Sequence, residues 1–273
     1  MFETVNSDGM IRVAAFAAVF AGMALWEALS PRRRPRLARL SRWPTNLAIV
    51  GLGIAVVRAL GFIATPLVAV GAALLAASNG WGLLNIVALP AWLETVTALI
   101  VLDFAIWTQH VASHHMPALW RLHRMHHADI DFDVTTALRF HPIEIGLSML
   151  YKVVWVLLLG PSVLAVVLFE VILNACAMFN HANVTLPARI DRVLRAVVVT
   201  PDMHRVHHSI HANEHHANFG FNLSIWDRLF ATYVAQPVDG HQGMRIGLPA
   251  WQGEAPARLG WSLLLPFRRA PPG

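Results

Sequence analysis

The sequence predicts an all-α integral membrane protein of about four to five transmembrane helices with a cytoplasmic, histidine-rich helical cap. Two observations predict it. The chain is more apolar than a soluble core of its size needs: 56% of its 273 residues are hydrophobic, 14% are charged, and the mean hydropathy is +0.52. In addition, all 15 histidines lie after residue 109, and two groups of them repeat one spacing. The organisation expected is an N-terminal transmembrane region with a basic loop over residues 1–90, a histidine-box domain over 91–235 and a C-terminal cytoplasmic tail over 236–273.

The first candidate span, Met10 to Leu29, is followed at once by Arg32, Arg33, Arg34, Arg36, Arg39 and Arg42. Loops this rich in arginine stay in the cytoplasm, so the amino terminus is expected outside. The segment does not read as a cleavable signal, because its charges follow the apolar run, Glu3 and Asp8 precede it, and no small-residue cleavage site separates it from the basic loop.

A second apolar stretch, Asn46 to about Ala77, exceeds what a hydrocarbon core of about 30 Å requires at 1.5 Å per residue. Arg58 and Gly61 are its candidate break points. Trp81 to Pro90 is short and led by a tryptophan, which suits an interfacial or re-entrant piece. Ala91 to His115 forms a third span, stopped by Met116-Pro117. Glu144–Gly160 and Pro161–Asn180 read as a helical hairpin broken at Gly160-Pro161. No later run is long enough to span. Alternating crossings from an outside terminus bring every histidine group to the cytoplasmic face, and the inner membrane of a bacterium is the expected location.

The basic excess, 21 Lys and Arg over 16 Asp and Glu, gathers in the cytoplasmic loops. It reports orientation and contact with anionic headgroups. Nothing points to nucleic acid, since the arginines lack a fold or aromatic interleaving for it. The single cysteine, Cys176, implies no disulfide and reads as a small core hydrophobe.

The two repeated groups are His123-Arg124-Met125-His126-His127 and His204-Arg205-Val206-His207-His208. Residues three and four apart on a helix share a face, so H-x-x-H-H aims three imidazoles at one region of space. In such a chain one box is expected by chance only roughly 0.05 times, and two far less often. His110 and His114, at i and i+4, add a third group at the cytoplasmic end of the third span. Eight imidazoles exceed what one ion uses. Iron, zinc or copper suits an all-imidazole donor set. A structural zinc site usually takes four ligands and favours cysteine, which this chain nearly lacks.

Around these groups, Asp103 lies two turns before His110 on the same stripe and is expected to accept a ligand N–H and fix its orientation. A second helix, from about Ala118 to Ala128, carries the first box and ends at Asp129-Ile130-Asp131-Phe132-Asp133. His141 reads as a cap or a supporting group in preference to a ligand, and Glu144 suits the positive end of the helix dipole. Glu170, Asn174 and His181 form a polar stripe along the fifth span, which makes His181 a candidate ligand. Thr200, Pro201 and Asp202 start the helix of the second box, with Thr200 as its cap. His211, seven residues after His204, is expected on the same face as a supporting group. His115, His215, His216 and His241 have no convincing spacing partner and read as surface or interfacial. Ser224 to Phe230 reads as a capped amphipathic helix that closes the site from below.

These residues resemble the fatty acid hydroxylase and sterol desaturase superfamily of membrane enzymes. The resemblance runs from about Asp103 to Tyr233 and rests on the His110/His114 group, the two H-x-x-H-H boxes, Arg139-Phe140-His141-Pro142, Asn180-His181-Ala182-Asn183, and Asn218-Phe219-Gly220 through Trp226-Asp227-Arg228-Leu229-Phe230. The first hundred residues share only hydropathy. The resemblance implies a di-metal centre held by His110, His114, His123, His126, His127, His204, His207 and His208, with His181 as ninth ligand. It also implies two iron ions (zinc in a purified form), dioxygen, and electrons from a ferredoxin- or cytochrome-type partner. His215 and His216 stand where relatives vary, and Ala231 replaces a glycine common in that tail.

The expected function is therefore an oxygen-dependent attack on C–H bonds of a bilayer lipid, by hydroxylation, desaturation or ether-lipid cleavage. Two other classes compete. A metal transporter or storage protein would place its ligands near the midplane along a pathway. A zinc-stabilised scaffold would ligate only four histidines.

Overall fold

The computed structural model describes residues 2–269; the side chains of residues 2–8 and 11, Glu3 and Asp8 among them, fall outside that description. Every regular element among the described residues is helical: α1 (Phe2–Leu29), α2 (Arg39–Ile63), α3 (Ala69–Asn79), α4 (Leu83–Ile86), α5 (Ala91–His115), α6 (Pro117–His127), α7 (Pro142–Leu159), α8 (Val163–Asn180), α9 (Ala188–Leu194), α10 (Pro201–His207), α11 (Ala212–His215) and α12 (Ile225–Leu229), with short helical turns beyond.

Six helical stretches among the described residues are long and apolar enough to cross a membrane. That is one more than the five apolar passages expected, because the second passage is broken at residues 64–68, around Pro66, and not at Arg58 or Gly61. Its two pieces run along α7 in succession. Gly53 lies against Ile145 and Gly146 against Val56, whereas Gly82, just past α3, lies against Gly160.

Lipid offers no hydrophobic drive between helices, so close contact of small residues must hold them together. Ala69, Ala72, Ala73 and Ala76 of α3 and Ala98 and Ala105 of α5 are all buried. Glu170 of α8, inside the bundle, is paired as that setting favours: it takes both Lys152 of α7, at 2.9 Å, and Arg12 of α1, at 2.5 Å. The polar stripe read along α8 thus begins as an ion-pair clasp.

At the far end, Gly160 turns the chain at φ +68°, Ser162 caps α8, and Glu94 of α5 accepts from the Ser162 backbone N–H at 2.8 Å. A Cβ at Gly82 would stand 2.3 Å from the Gly160 nitrogen, so this crossing requires glycine.

At the other end α1, α2, α5, α7 and α8 all abut the cap. The Arg32 N–H donates to Asn183 at 2.9 Å, and the Arg36 and Leu37 N–H groups donate to Asp131. Arg42 forks onto Asp129 and Asp133 at 2.6–2.8 Å. The run Asp129 to Asp133 therefore does more than end a helix: it ties the basic loop and α2 to the loop after the first box. Residues 244–268 lie over the same end, with Arg139 donating to Pro256 O and Ser262 Oγ, both at 2.7 Å.

Candidate metal centre

Nine imidazoles converge where α5, α6, α8 and α10 meet, and none is more than 5% exposed. They form two groups. The ligating atoms of His110, His114, His123, His127 and His207 lie within 4.8 Å of one another, and so do those of His126, His181, His204 and His208.

Each box is shared between the groups. On a helix, i and i+4 lie close in angle while i+3 falls on the other side of i. His123 and His127 accordingly enter the first group and His126 the second. In the other box the assignment is exchanged: His204 and His208 enter the second group and His207 the first. The boxes interleave, with ring centroids 4.7 Å apart for both His126–His208 and His127–His207.

Hydrogen bonding decides which nitrogen of these rings carries the lone pair. His110 Nδ1 lies 2.7 Å from Phe219 O, His181 Nδ1 2.8 Å from Ala177 O and His207 Nδ1 2.6 Å from Ala217 O. A carbonyl oxygen only accepts, so each Nδ1 must carry the proton and each Nε2 is bare. His123 Nδ1 lies 2.6 Å from Glu144 Oε1 and donates to it when that carboxyl is ionised, which likewise leaves Nε2 bare. His110 Nε2 and His123 Nε2 are then two lone pairs facing each other across 3.1 Å. Such an arrangement is repulsive unless a cation is shared between them, and on this ground the residues fit a metal centre.

Outside the spans, burial first, and for most of these rings the neighbouring imidazoles second, drives the histidines toward the neutral, ligating form. His123 and His181 are pushed down to about 3, and His126, His127, His204, His207 and His208 fall well below the usual histidine range. Neutral imidazoles without thiolate suit a first-row transition ion.

Aromatic rings separate the centre from the bundle core. Phe140 stacks on His126 at 4.3 Å, and Phe221 lies 5.0 Å from His110. A crevice of about 210 Å³ opens between α5 and α8, walled by Val96, Ile100, Phe169 and Ile172 and ending at Asp103, Asn222 and Leu223.

Several expectations require correction. Asp103 accepts from Trp226 Nε1 at 2.8 Å and from the Leu223 N–H at 3.2 Å, and not from a ligand ring; the residue two turns along its helix is held elsewhere, and the acid that meets a ligand is Glu144. Of the readings of His141, the cap is the one the structure bears out: it caps α7, accepting from the Ile143 N–H, with Nε2 at 3.2 Å from Leu263 O, and it supports no ligand. His211 is not on the second box's face, because α10 ends at His207; it pairs with Asp239 at 2.7 Å. His215 and His241 are buried rather than on the surface, whereas His115 and His216 are exposed. Thr200 precedes α10 but gives its hydroxyl to Asp191 and makes no side-chain cap.

Sequence reasoning also missed Asp227. It accepts from the Phe219 and Gly220 N–H groups at 2.9 and 2.8 Å and from Trp107 Nε1 at 3.1 Å, holding the turn whose Phe219 carbonyl orients His110. No spacing rule links residues 110 and 227, so only the fold reveals the connection.

Fold and centre together define a helical membrane protein with two adjacent imidazole groups at one end of its bundle. The chain belongs to the fatty acid hydroxylase family, whose family model matches residues 95–232. It is 28% identical over 148 residues to the ornithine lipid hydroxylase OlsE of Rhizobium tropici, covering 54% of this chain and 44% of that protein. It is 30% identical over 141 residues to human alkylglycerol monooxygenase, covering 51% and 30%. It is 27% identical to the fatty acid hydroxylase vlmA of a Lecanicillium species, covering 57% and 47%. The chain thus spans less than half the length of each of these relatives. No solved structure matches it.

Proposed function

We propose that this protein is a di-iron, oxygen-dependent enzyme of the inner membrane that oxidises a C–H bond in a lipid, its histidine centre facing the cytoplasm. The observation that carries the reading is the pair of interleaved imidazole groups, in the first of which the bare Nε2 atoms of His110 and His123 face each other at 3.1 Å. His110, His114, His123, His127 and His207 would hold one iron, and His126, His181, His204 and His208 the other. With dioxygen and electrons from an external donor, such a centre supplies the oxidising power that acid–base side chains lack.

The protein's own part is placement and exclusion. Phe219, Ala217, Ala177 and Glu144 fix the rings through Nδ1. Phe140 and Phe221 keep bulk water from the centre, and the crevice between α5 and α8 gives an alkyl chain a lateral path from the bilayer. The similarity to lipid hydroxylases and to an alkylglycerol monooxygenase supports a lipid substrate. Transport of metal fits less well, because the ligands gather at helix ends rather than along a passage at mid-membrane.

The test is direct. Protein purified in lipid nanodiscs should contain iron in both groups and consume oxygen only with a reductant and lipid present, and mass spectrometry of the lipid should show an oxygenated or desaturated product. Metal-loaded protein that releases metal across proteoliposomes and turns over no lipid would overturn the reading.

A further inference from the structure

The nine ligands are sealed from water, so an ion arriving from the cytoplasm needs a way in. Three histidines outside the ligand set form a continuous path to them. His115 and His216 are exposed at the end of α5 and just after α11, with ring centroids 5.4 Å apart. His215 follows at 5.3 Å from His216, and it is buried. Its ring lies 4.4 Å from His127 and 4.9 Å from His114, both in the first group. His115 donates through Nδ1 to Val111 O at 2.9 Å, which leaves its Nε2 free to bind. Within the protein, His215 Nε2 is a buried nitrogen with no hydrogen-bond partner. A buried polar atom left unpaired is costly and calls for a role.

We propose that His115, His216 and His215 form an entry station for a divalent transition ion, which is captured at the two exposed rings and passed through His215 to the first histidine group. Resting on the metal-centre reading above, the inference adds a site for transit that is distinct from the site of residence. Neutral imidazoles suit it, since each step exchanges one nitrogen donor for another of the same kind and the ion never has to enter the apolar interior bare. Trp120, 4.8 Å from His215, walls the passage on the side of α6.

The experiment uses nanodisc-embedded protein stripped of metal by chelation and then given iron(II), or cobalt(II) as a spectroscopic substitute, with uptake followed by stopped flow and final content by elemental analysis. The double variant His115→Ala/His216→Ala, and separately His215→Phe, should slow uptake by about tenfold, the scale on which groups supporting a metal site act, at unchanged final content. His211→Ala, at a half-buried histidine outside the path, should load like the parent chain. Unchanged uptake rates in both path variants would overturn the entry station while leaving the centre intact. A fall in final content in His215→Phe would make His215 a resident ligand and would overturn it too. A parent chain that takes up no ion would instead defeat the metal-centre reading itself.

Discussion

The carboxyl of Glu144 lies 2.6 Å from Nδ1 of His123, so an acid in the first turn of α7 orients an imidazole of the first group carried by α6. Replacing the carboxyl by an amide of the same shape, Glu144→Gln, should weaken metal retention about 10- to 100-fold, as loss of such outer partners does. Competition with a graded chelator measures it. Equal retention in the variant and the parent would show that the contact does not tune the centre.

Because each box is divided between the groups, His207→Ala and His126→Ala should differ in what they lose. His207→Ala should empty the first group preferentially and His126→Ala the second, and both should abolish turnover while the protein stays inserted in the membrane. Elemental analysis combined with a spectroscopic signature of each site distinguishes them. Identical loss from both groups in each variant would argue against the division.

Arg42 is 1% exposed and forks between Asp129 and Asp133. Arg42→Met would leave buried carboxylates without their cation, which costs about 3–5 kcal/mol. A thermal midpoint in detergent should fall steeply, and an unchanged midpoint would show that the clasp contributes nothing.

Ala231 sits at φ +57°, where a Cβ is strained. Ala231→Gly should relieve it, gaining up to about 1 kcal/mol after the entropic cost of glycine is subtracted. A rise in thermal midpoint checks this, and Ala231→Val should lower it.

The metal-depleted protein should weaken in acid. Burial holds His123, His181 and His215 down to about 3, below their unfolded value near 6.5. Between those limits the unfolded chain binds more protons than the folded one, so stability is full above about 6.5 and drains as pH falls toward about 3. Denaturant midpoints measured from about pH 7 down to about pH 5 should decline. A flat profile would contradict neutral, buried rings.

Much of the centre was legible in the chain itself. Box spacing is a local property of helical register, so the identities of His110, His114, His123, His126, His127, His204, His207 and His208 as a converging set could be read from offsets alone, and His181 from the polar stripe leading to it. The apolar runs likewise announced the helical bundle. What offsets could not decide was everything that passes between elements. Asp103 shares a stripe with His110, yet the loop after Gly220 claims it, and Glu144 reaches the ligand instead. The neighbour of His215 at helical spacing, His211, turns to Asp239, and His215 still touches the first group because α11 places it over α5 and α6. Register along one helix follows from backbone geometry; which helix faces which, and so which ring joins which group, is set only when the packed bundle brings distant segments together.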